Sequence, residues 1–325
     1  LPRAVIAEEL GPPQNYHLVE RDPGAPGPRQ VRIAIHAAGV SFVDALSAAG
    51  GYQVKPPVPF IPGTECAGVI EAVGAEVSSA RLGERVQANG WGGIFADCVN
   101  LPERTVRSIP AELDFEHAAV LGVSYATAWH ALVQRAALQP RETLLVLGAG
   151  GATGYAAVQV GKHLGARVIA SASSPEKRAL AQSGGADAVV AANSPQWRDE
   201  VKAANEDRAV DVVFDPVGGA ATEAAFRSLA WRGRHLVVGF TAGIATLRTN
   251  LALLKGAALL GVDVRQFGIF EPELAAHNLA TVFELAGRGV LRPAIAQRYP
   301  LEQFTEALEA ARAGQSAGRI LLQMR

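Results

Sequence analysis

Along the first third of the chain, apolar and polar residues alternate in short runs. Val31-Arg-Ile-Ala-Ile-His36 and Ala67-Gly-Val-Ile-Glu-Ala-Val73 have the two-residue period of strands and are bounded by turn residues. Asp22-Pro-Gly-Ala-Pro-Gly-Pro28 is a loop by composition. The pattern predicts a mostly β domain over residues 1–117, with a short helix near Val43–Ala49. From residue 118 the rhythm changes. Leu144–Leu147, Arg167–Ala170, Ala188–Val190, Val210–Phe214 and Arg234–Val238 read as strands, with helical runs near 152–164, 175–183, 195–204 and 219–230. Strands alternating with helices of this length imply parallel βαβ units. Farther on, Pro272–Arg288 and Leu301–Arg312 read as helices, with Pro272 tolerated in the first turn, and Arg319–Gln323 as a last strand. The tail is expected to return to the first domain. That gives one domain of residues 1–117 and 264–325 and a second of 118–263.

The sharpest local signal lies inside the alternating part. Leu144-Leu-Val-Leu-Gly-Ala-Gly-Gly-Ala-Thr-Gly154 reads as strand, tight turn and helix start. Glycine lets the backbone turn sharply and lets a phosphate approach it. The helix that follows aims unpaired N–H groups and the positive end of its dipole at that phosphate. A dinucleotide pyrophosphate is held this way. The spacing is Gly148-x-x-Gly151-x-x-Gly154, with Thr153 where the usual third glycine would fall, so an ordinary glycine-rich loop is the competing reading. The small residues Gly154, Ala156 and Ala157 would let the helix pack closely on the sheet.

Totals narrow the class. The 325 residues are 49% hydrophobic and 19% charged, with 30 Lys+Arg against 31 Asp+Glu. That near-neutral balance gives no electrostatic case for nucleic acid or for an anionic membrane. The two cysteines, Cys66 and Cys98, form no CxxC pair and no disulfide framework, which fits a reducing compartment. Leu1-Pro-Arg-Ala-Val-Ile-Ala-Glu-Glu does not read as a signal peptide, and no apolar run reaches the roughly 18 residues of a spanning helix. A cytoplasmic protein is expected.

An NAD-specific fold usually carries an Asp or Glu at the end of its second strand. Here that region is Val168-Ile-Ala-Ser-Ala-Ser-Ser-Pro-Glu-Lys177, where Ser171, Ser173 and Ser174 precede Lys177. A carboxylate would repel a 2′-phosphate, whereas hydroxyls and an ammonium would bind it, so NADPH is expected over NADH. The competing reading makes Ser174 the cap of a helix starting at Pro175 and Lys177 a solvated side chain.

Several further segments carry a family resemblance across essentially the whole chain. They are Ala38-Gly-Val-Ser-Phe-Val-Asp44, Pro62-Gly-Thr-Glu-Cys-Ala-Gly-Val-Ile70, Val120-Leu-Gly-Val-Ser-Tyr-Ala-Thr-Ala-Trp129, residues 148–162, Asp211-Val-Val-Phe-Asp-Pro-Val-Gly-Gly219 and Gly318-Arg-Ile-Leu-Leu322. Together they resemble the medium-chain dehydrogenase/reductase superfamily, in its zinc-free quinone oxidoreductase (zeta-crystallin-like) branch. The resemblance implies an α/β fold class, with a GroES-like, mostly β catalytic domain plus a Rossmann doubly wound parallel-sheet cofactor domain. It also implies a cleft with the nicotinamide at its base. Zinc-bearing relatives use Cys, His and Cys as catalytic ligands, and by motif those positions are Ser41, Thr64 and Val123 here. Zinc needs Cys, His or carboxylate donors in number, so no metal is expected. An alcohol dehydrogenase mechanism then loses its Lewis acid.

For the cofactor, Gly148, Gly151, Ala152, Thr153 and Gly154 are the expected loop contacts. By the resemblance Thr127, Gly239, Phe240 and Arg319 lie near the cofactor. Their plainer readings are a helix residue bonding its own backbone, a strand-end turn (Gly239 and Phe240) and a solvated strand end. The family's Asn-Tyr after the third strand is Ala191-Ala192 here. Ser41 and Tyr52 are the substrate-side candidates; similar proteins often have Asn at Ser41, and some have Tyr at Leu46. An aromatic among Gly and Pro also reads as a loop anchor, and Asp44 reads as structural. His117, His130 and His163 show no ligand spacing, and Cys66 and Cys98 read as inert small residues in strands.

These features point to hydride transfer from NADPH to a small-molecule quinone or activated enone. The protein's part would be to position the two rings and exclude water. Two alternatives stay open: an NADPH-dependent enoyl reductase, and an NADPH-binding protein with a mainly non-catalytic role. By analogy a homodimer is expected, and Gly256-Ala-Ala-Leu-Leu-Gly-Val-Asp263 reads either as an edge strand for it or as a strand buried within one subunit.

Overall fold

The computed structural model describes residues 1–51 and 55–324. By contacts the chain divides into two compact units, Leu1–Gly122 with Ala294–Arg325, and Val123–Pro293. The first unit opens with an antiparallel pair, β1 (Arg3–Ile6) and β2 (His17–Glu20). Then come β3 (Gln30–Val40), α1 (Phe42–Ala48), β4 (Glu65–Val73), β5 (Arg85–Asn89), β6 (Cys98–Pro102) and β7 (Val106–Ser108). In β3 the expected alternation buries Val31, Ile33 and Ile35 completely while Arg32 and His36 stay half-buried. Helix α2 (Phe115–Trp129) crosses the boundary between the units.

The second unit contains β8 (Thr143–Val146), α3 (Ala152–His163), β9 (Arg167–Ala172), α4 (Pro175–Ser183), β10 (Ala188–Ala191), α5 (Trp197–Ala204), β11 (Val210–Asp215), α6 (Ala221–Arg227), β12 (Leu229–Val237), α7 (Asn250–Lys255), β13 (Ala258–Gly261), α8 (Val264–Phe270) and α9 (Pro272–Gly287). Its six strands pair in the order β10-β9-β8-β11-β12-β13, all in parallel. This is the doubly wound order, whose direction reverses between β8 and β11. All of β8 is buried, as expected of a strand covered on both faces. A Cβ on Gly161 of α3 would lie 2.6 Å from Leu144 Cδ2, so helix and sheet meet at backbone range.

Two expectations shift. The helix drawn to residue 230 ends at Arg227, because Leu229 already pairs with Val210 and begins β12. The return to the first unit falls at Ala294, where the sequence reading placed it at 264. Packing sets that boundary: Phe267 of α8 stacks on His130 at 3.8 Å, and Asn278 of α9 exchanges two hydrogen bonds with Gln134. The chain then closes the first unit with β14 (Ile295–Pro300), α10 (Phe304–Ala313) and β15 (Arg319–Gln323). Strand β15 pairs with β3, giving a seven-stranded sheet in the order β14-β15-β3-β4-β5-β7, with β6 on β3. The architecture is α/β, a GroES-like sheet unit and a Rossmann-like parallel-sheet unit. No helix among the described residues is long and apolar enough to cross a membrane.

Candidate functional site

In the second unit, turns leave the carboxyl ends of β8, β11 and β12, side by side at the point where the sheet order reverses. Open α/β sheets bind ligands at such a place. Gly148 takes the left-handed conformation at φ +57°, and Gly151 caps α3 with no side chain of its own. A Cβ on Gly154 would lie 2.2 Å from the Gly148 carbonyl oxygen, so only glycine lets the helix sit under the turn. Ala152 and Thr153 form the first turn of α3 and are half-buried. Their backbone N–H groups belong to the helix end that a phosphate would meet.

Lys177 lies directly against this loop. A Cβ on Gly150 would meet Lys177 Cβ at 2.4 Å and Cγ at 2.7 Å. The ammonium is half-buried, and burial holds its pKa below the ordinary lysine value. Ser174 caps α4, its hydroxyl accepting from the Lys177 N–H at 3.3 Å, with Pro175 in the first turn. Capping and a role at the loop are compatible, because both place Lys177 at the end of β9. Ser173 is exposed beside it. Ser171 requires a correction. Its hydroxyl is buried and accepts from Trp197 Nε1 at 2.8 Å, so it joins α5 to the sheet and is not presented to a ligand.

The sequence reading passed over Arg178. Its Nη1 donates to the carbonyls of Ala172 and Ser173, at 3.3 and 3.4 Å, which fixes a second cation at the end of β9. The signal was present, since Lys177 and Arg178 are adjacent in the first turns of α4. Asp215 was also passed over as an individual residue. It ends β11 and holds the turn beside Gly148: Val217 Cγ2 would meet a Gly148 Cβ at 3.0 Å.

Gly239 and Phe240 follow β12. The Gly239 N–H donates to the Asp215 carbonyl at 3.2 Å, and Phe240 is half-exposed. Both line a recess of about 310 Å³ with Val237, Val238, Gly261 and Val262. Thr127 is 9% exposed, and its hydroxyl donates to the Val123 carbonyl at 2.8 Å, which is the backbone-bonding role.

Within the first unit, Ser41 caps α1 in a reciprocal box with Asp44. Its hydroxyl donates to Asp44 Oδ2 at 2.6 Å. Burial raises the Asp44 pKa, while the Ser41 bonds, the Thr64 hydroxyl and the charge of Arg319 pull it back. Thus two of the positions matching zinc ligands, Ser41 and Thr64, face one carboxylate, and the third, Val123, carries only an isopropyl group. This donor set does not suit zinc. Tyr52 lies outside the described residues. Arg319 also requires a correction. It is 6% exposed and ion-paired with Glu65, itself 1% exposed, so the plainer reading of a solvated strand end does not hold. Cys66 is a buried residue of β4, and burial pushes its thiol up to about 12.

The chain matches the alcohol dehydrogenase GroES-like domain over residues 27–112 and the zinc-binding dehydrogenase family over residues 152–279. It is 36% identical to quinone oxidoreductase-like protein 2 of Rattus norvegicus, over 99% of this chain and 92% of that protein. To the quinone oxidoreductase of Homo sapiens it is 31% identical, over 99% and 98%. The quinone oxidoreductase of Thermus thermophilus, solved also in complex with NADPH, superposes with a TM-score of 0.87 at 30% identity, covering 99% of this chain and 100% of that one.

Proposed function

The chain belongs to the medium-chain dehydrogenase/reductase superfamily, in its quinone oxidoreductase branch, and we propose that it is a zinc-independent reductase that passes a hydride from NADPH to a quinone or an activated enone. One observation carries the reading: Lys177 packed on Gly150, at the reversal point of a doubly wound sheet. A 2′-phosphate placed at the end of β9 meets a lysine, a fixed arginine and two serines there; β9 itself ends at Ala172 without an acid, and the nearby carboxylate, Glu176 of α4, is exposed and bonded to the Ser174 hydroxyl.

Bound NADPH supplies a nucleophilic hydride, and a quinone is electron-poor enough to accept it directly. The chain's own residues bind and orient. Backbone N–H groups of Ala152, Thr153 and Gly154 receive the pyrophosphate, while the Gly151 N–H closes the loop onto the Gly148 carbonyl at 2.9 Å; Ser173, Ser174, Lys177 and Arg178 receive the 2′-phosphate, and Gly239 and Phe240 flank the nicotinamide half. In the first unit, which we assign to the substrate, Ser41 is the hydroxyl nearest the reaction in role, and Asp44 fixes its orientation. Ser41, Thr64 and Val123 cannot assemble a zinc site, so no step is assigned to a metal.

We assign a homodimer through β13, the sheet's edge strand, where Leu259 is half-exposed and Leu253 and Leu254 of the preceding helix are largely exposed. Its two buried, unpaired thiols suit a reducing compartment such as the cytoplasm. Steady-state oxidation of NADPH with simple quinones and enones tests the activity. Turnover with NADPH favoured over NADH supports it; tight NADPH binding without turnover on any acceptor would leave only a binding protein.

A further inference from the structure

Beneath the cofactor turns, the second unit buries an ionisable network that the proposed reaction does not use. Asp215, at the end of β11, is 2% exposed. Its Oδ1 accepts from the backbone N–H of Val217 and Gly218, at 2.9 and 2.8 Å. Its Oδ2 accepts from the Thr222 hydroxyl at 2.6 Å and faces His235 Nε2 at 3.1 Å. An ionised carboxylate can only accept, so the imidazole carries its proton on Nε2. The same residue's carbonyl accepts from Val238 and Gly239, at 2.9 and 3.2 Å. Asp215 therefore ties together the turn after β11, the first turn of α6, the body of β12 and the loop that follows it.

The turn it shapes is a wedge. On one side Val217 fills the space against Gly148. On the other, Val217 and Gly219 exchange backbone bonds with Ala242 and Gly243, both at 2.8 Å. Gly218 sits at φ +71°, where a Cβ would lie 2.5 Å from the Gly243 carbonyl oxygen. The spacing between the phosphate loop and the loop after β12 thus passes through residues 216–219.

A buried ionic network gains little stability over apolar packing when all its members are replaced together, and is costly when half-satisfied. Its benefit is a single geometry. We propose that Asp215, braced by Thr222 and His235, is a positioning group that sets the gap between the two cofactor loops, and so the seat of the dinucleotide. This rests on the reading of those loops as an NADPH site.

The test compares Thr222→Val and Asp215→Asn with a control, Thr143→Val. Thr143 also lies in this unit and donates a buried bond, to Asn205 at 3.0 Å, but from the start of β8, away from the turns. In Asp215→Asn the amide N–H would oppose the His235 Nε2–H. The imidazole would then shift its proton to Nδ1, which has no hydrogen-bond partner among the described residues. Calorimetric NADPH binding, thermal melting, and KM for NADPH and for quinone are measured on each full chain freed of bound nucleotide. Thr222→Val is expected to weaken NADPH binding about fivefold and Asp215→Asn at least about tenfold, both with KM for quinone unchanged and with recovery in Thr222→Ser. The control is expected to lose melting temperature without losing NADPH. Wild-type affinity in Thr222→Val, or an equal loss of affinity per degree of melting in the control, would overturn the assignment. Failure of the wild-type protein to bind NADPH would instead overturn the reading beneath it.

Discussion

A Cβ on Gly154 would stand 2.2 Å from the carbonyl oxygen of Gly148, and 2.9 Å from the Ala149 Cα. The first turn of α3 and the loop above it therefore share one volume, and on the proposed reading the side-chain-free position would let helix N–H groups face a phosphate. Gly154→Ala has only backbone to push against. Overpacking of this kind destabilises by about 1–3 kcal/mol. The expected outcome is a lower melting temperature and at least tenfold weaker NADPH binding (about 1.4 kcal/mol), read by thermal scanning and calorimetry.

Lys177→Ala removes the ammonium beside Gly150 and leaves the loop intact. A charge-assisted contact to a phosphate is worth about 1.5–3 kcal/mol, so KM for NADPH should rise at least about tenfold while NADH use stays nearly constant. Equal effects on both cofactors would remove the 2′-phosphate role.

Burial lowers the Lys177 pKa from its ordinary 10.5, and a bound 2′-phosphate would raise it again. The ligand therefore favours the protonated lysine. Between the phosphate's own titration at about pH 6 and the lowered lysine value the NADPH preference is complete. As pH rises through that value toward 10.5, binding must recruit a proton, and affinity falls. The ratio of NADPH to NADH affinity should decline along that range, and the decline should be absent in Lys177→Ala.

Arg319 and Glu65 form a buried ion pair, 6% and 1% exposed. Removing one partner strands a buried charge, at about 3–5 kcal/mol. Arg319→Met should lower the melting temperature sharply, and Arg319→Met combined with Glu65→Met should recover most of the loss. A cofactor contact at Arg319 would instead show as weakened NADPH binding that the second substitution does not restore.

The fold was legible where information is local. The period-two run at Val31–His36, the buried run ending at Leu147 and the glycine turn state their conformations within a few residues, as does Ser174-Pro175 as a helix start. The limits of the site were set by contacts far apart in sequence. Ser171 lies beside Lys177 in the chain, yet Trp197 claims its hydroxyl across 26 residues. Arg319 meets Glu65 across 254. His235 reaches Asp215 only because β11 and β12 are sheet neighbours. No periodicity or spacing announces such partners. For the same reason the second crossing, at Ala294, was hidden in α8 and α9, whose apolar faces do not say which unit they cover.

The most direct measurement of the central claim is stopped-flow oxidation of NADPH by a simple quinone, on protein dialysed against a chelator and on protein supplied with zinc. The account predicts one NADPH consumed per quinone reduced, at the same rate in both samples, slowed when the transferred hydrogen is deuterium. Loss of turnover on chelation with recovery in zinc, or no oxidation of NADPH at all, would contradict it.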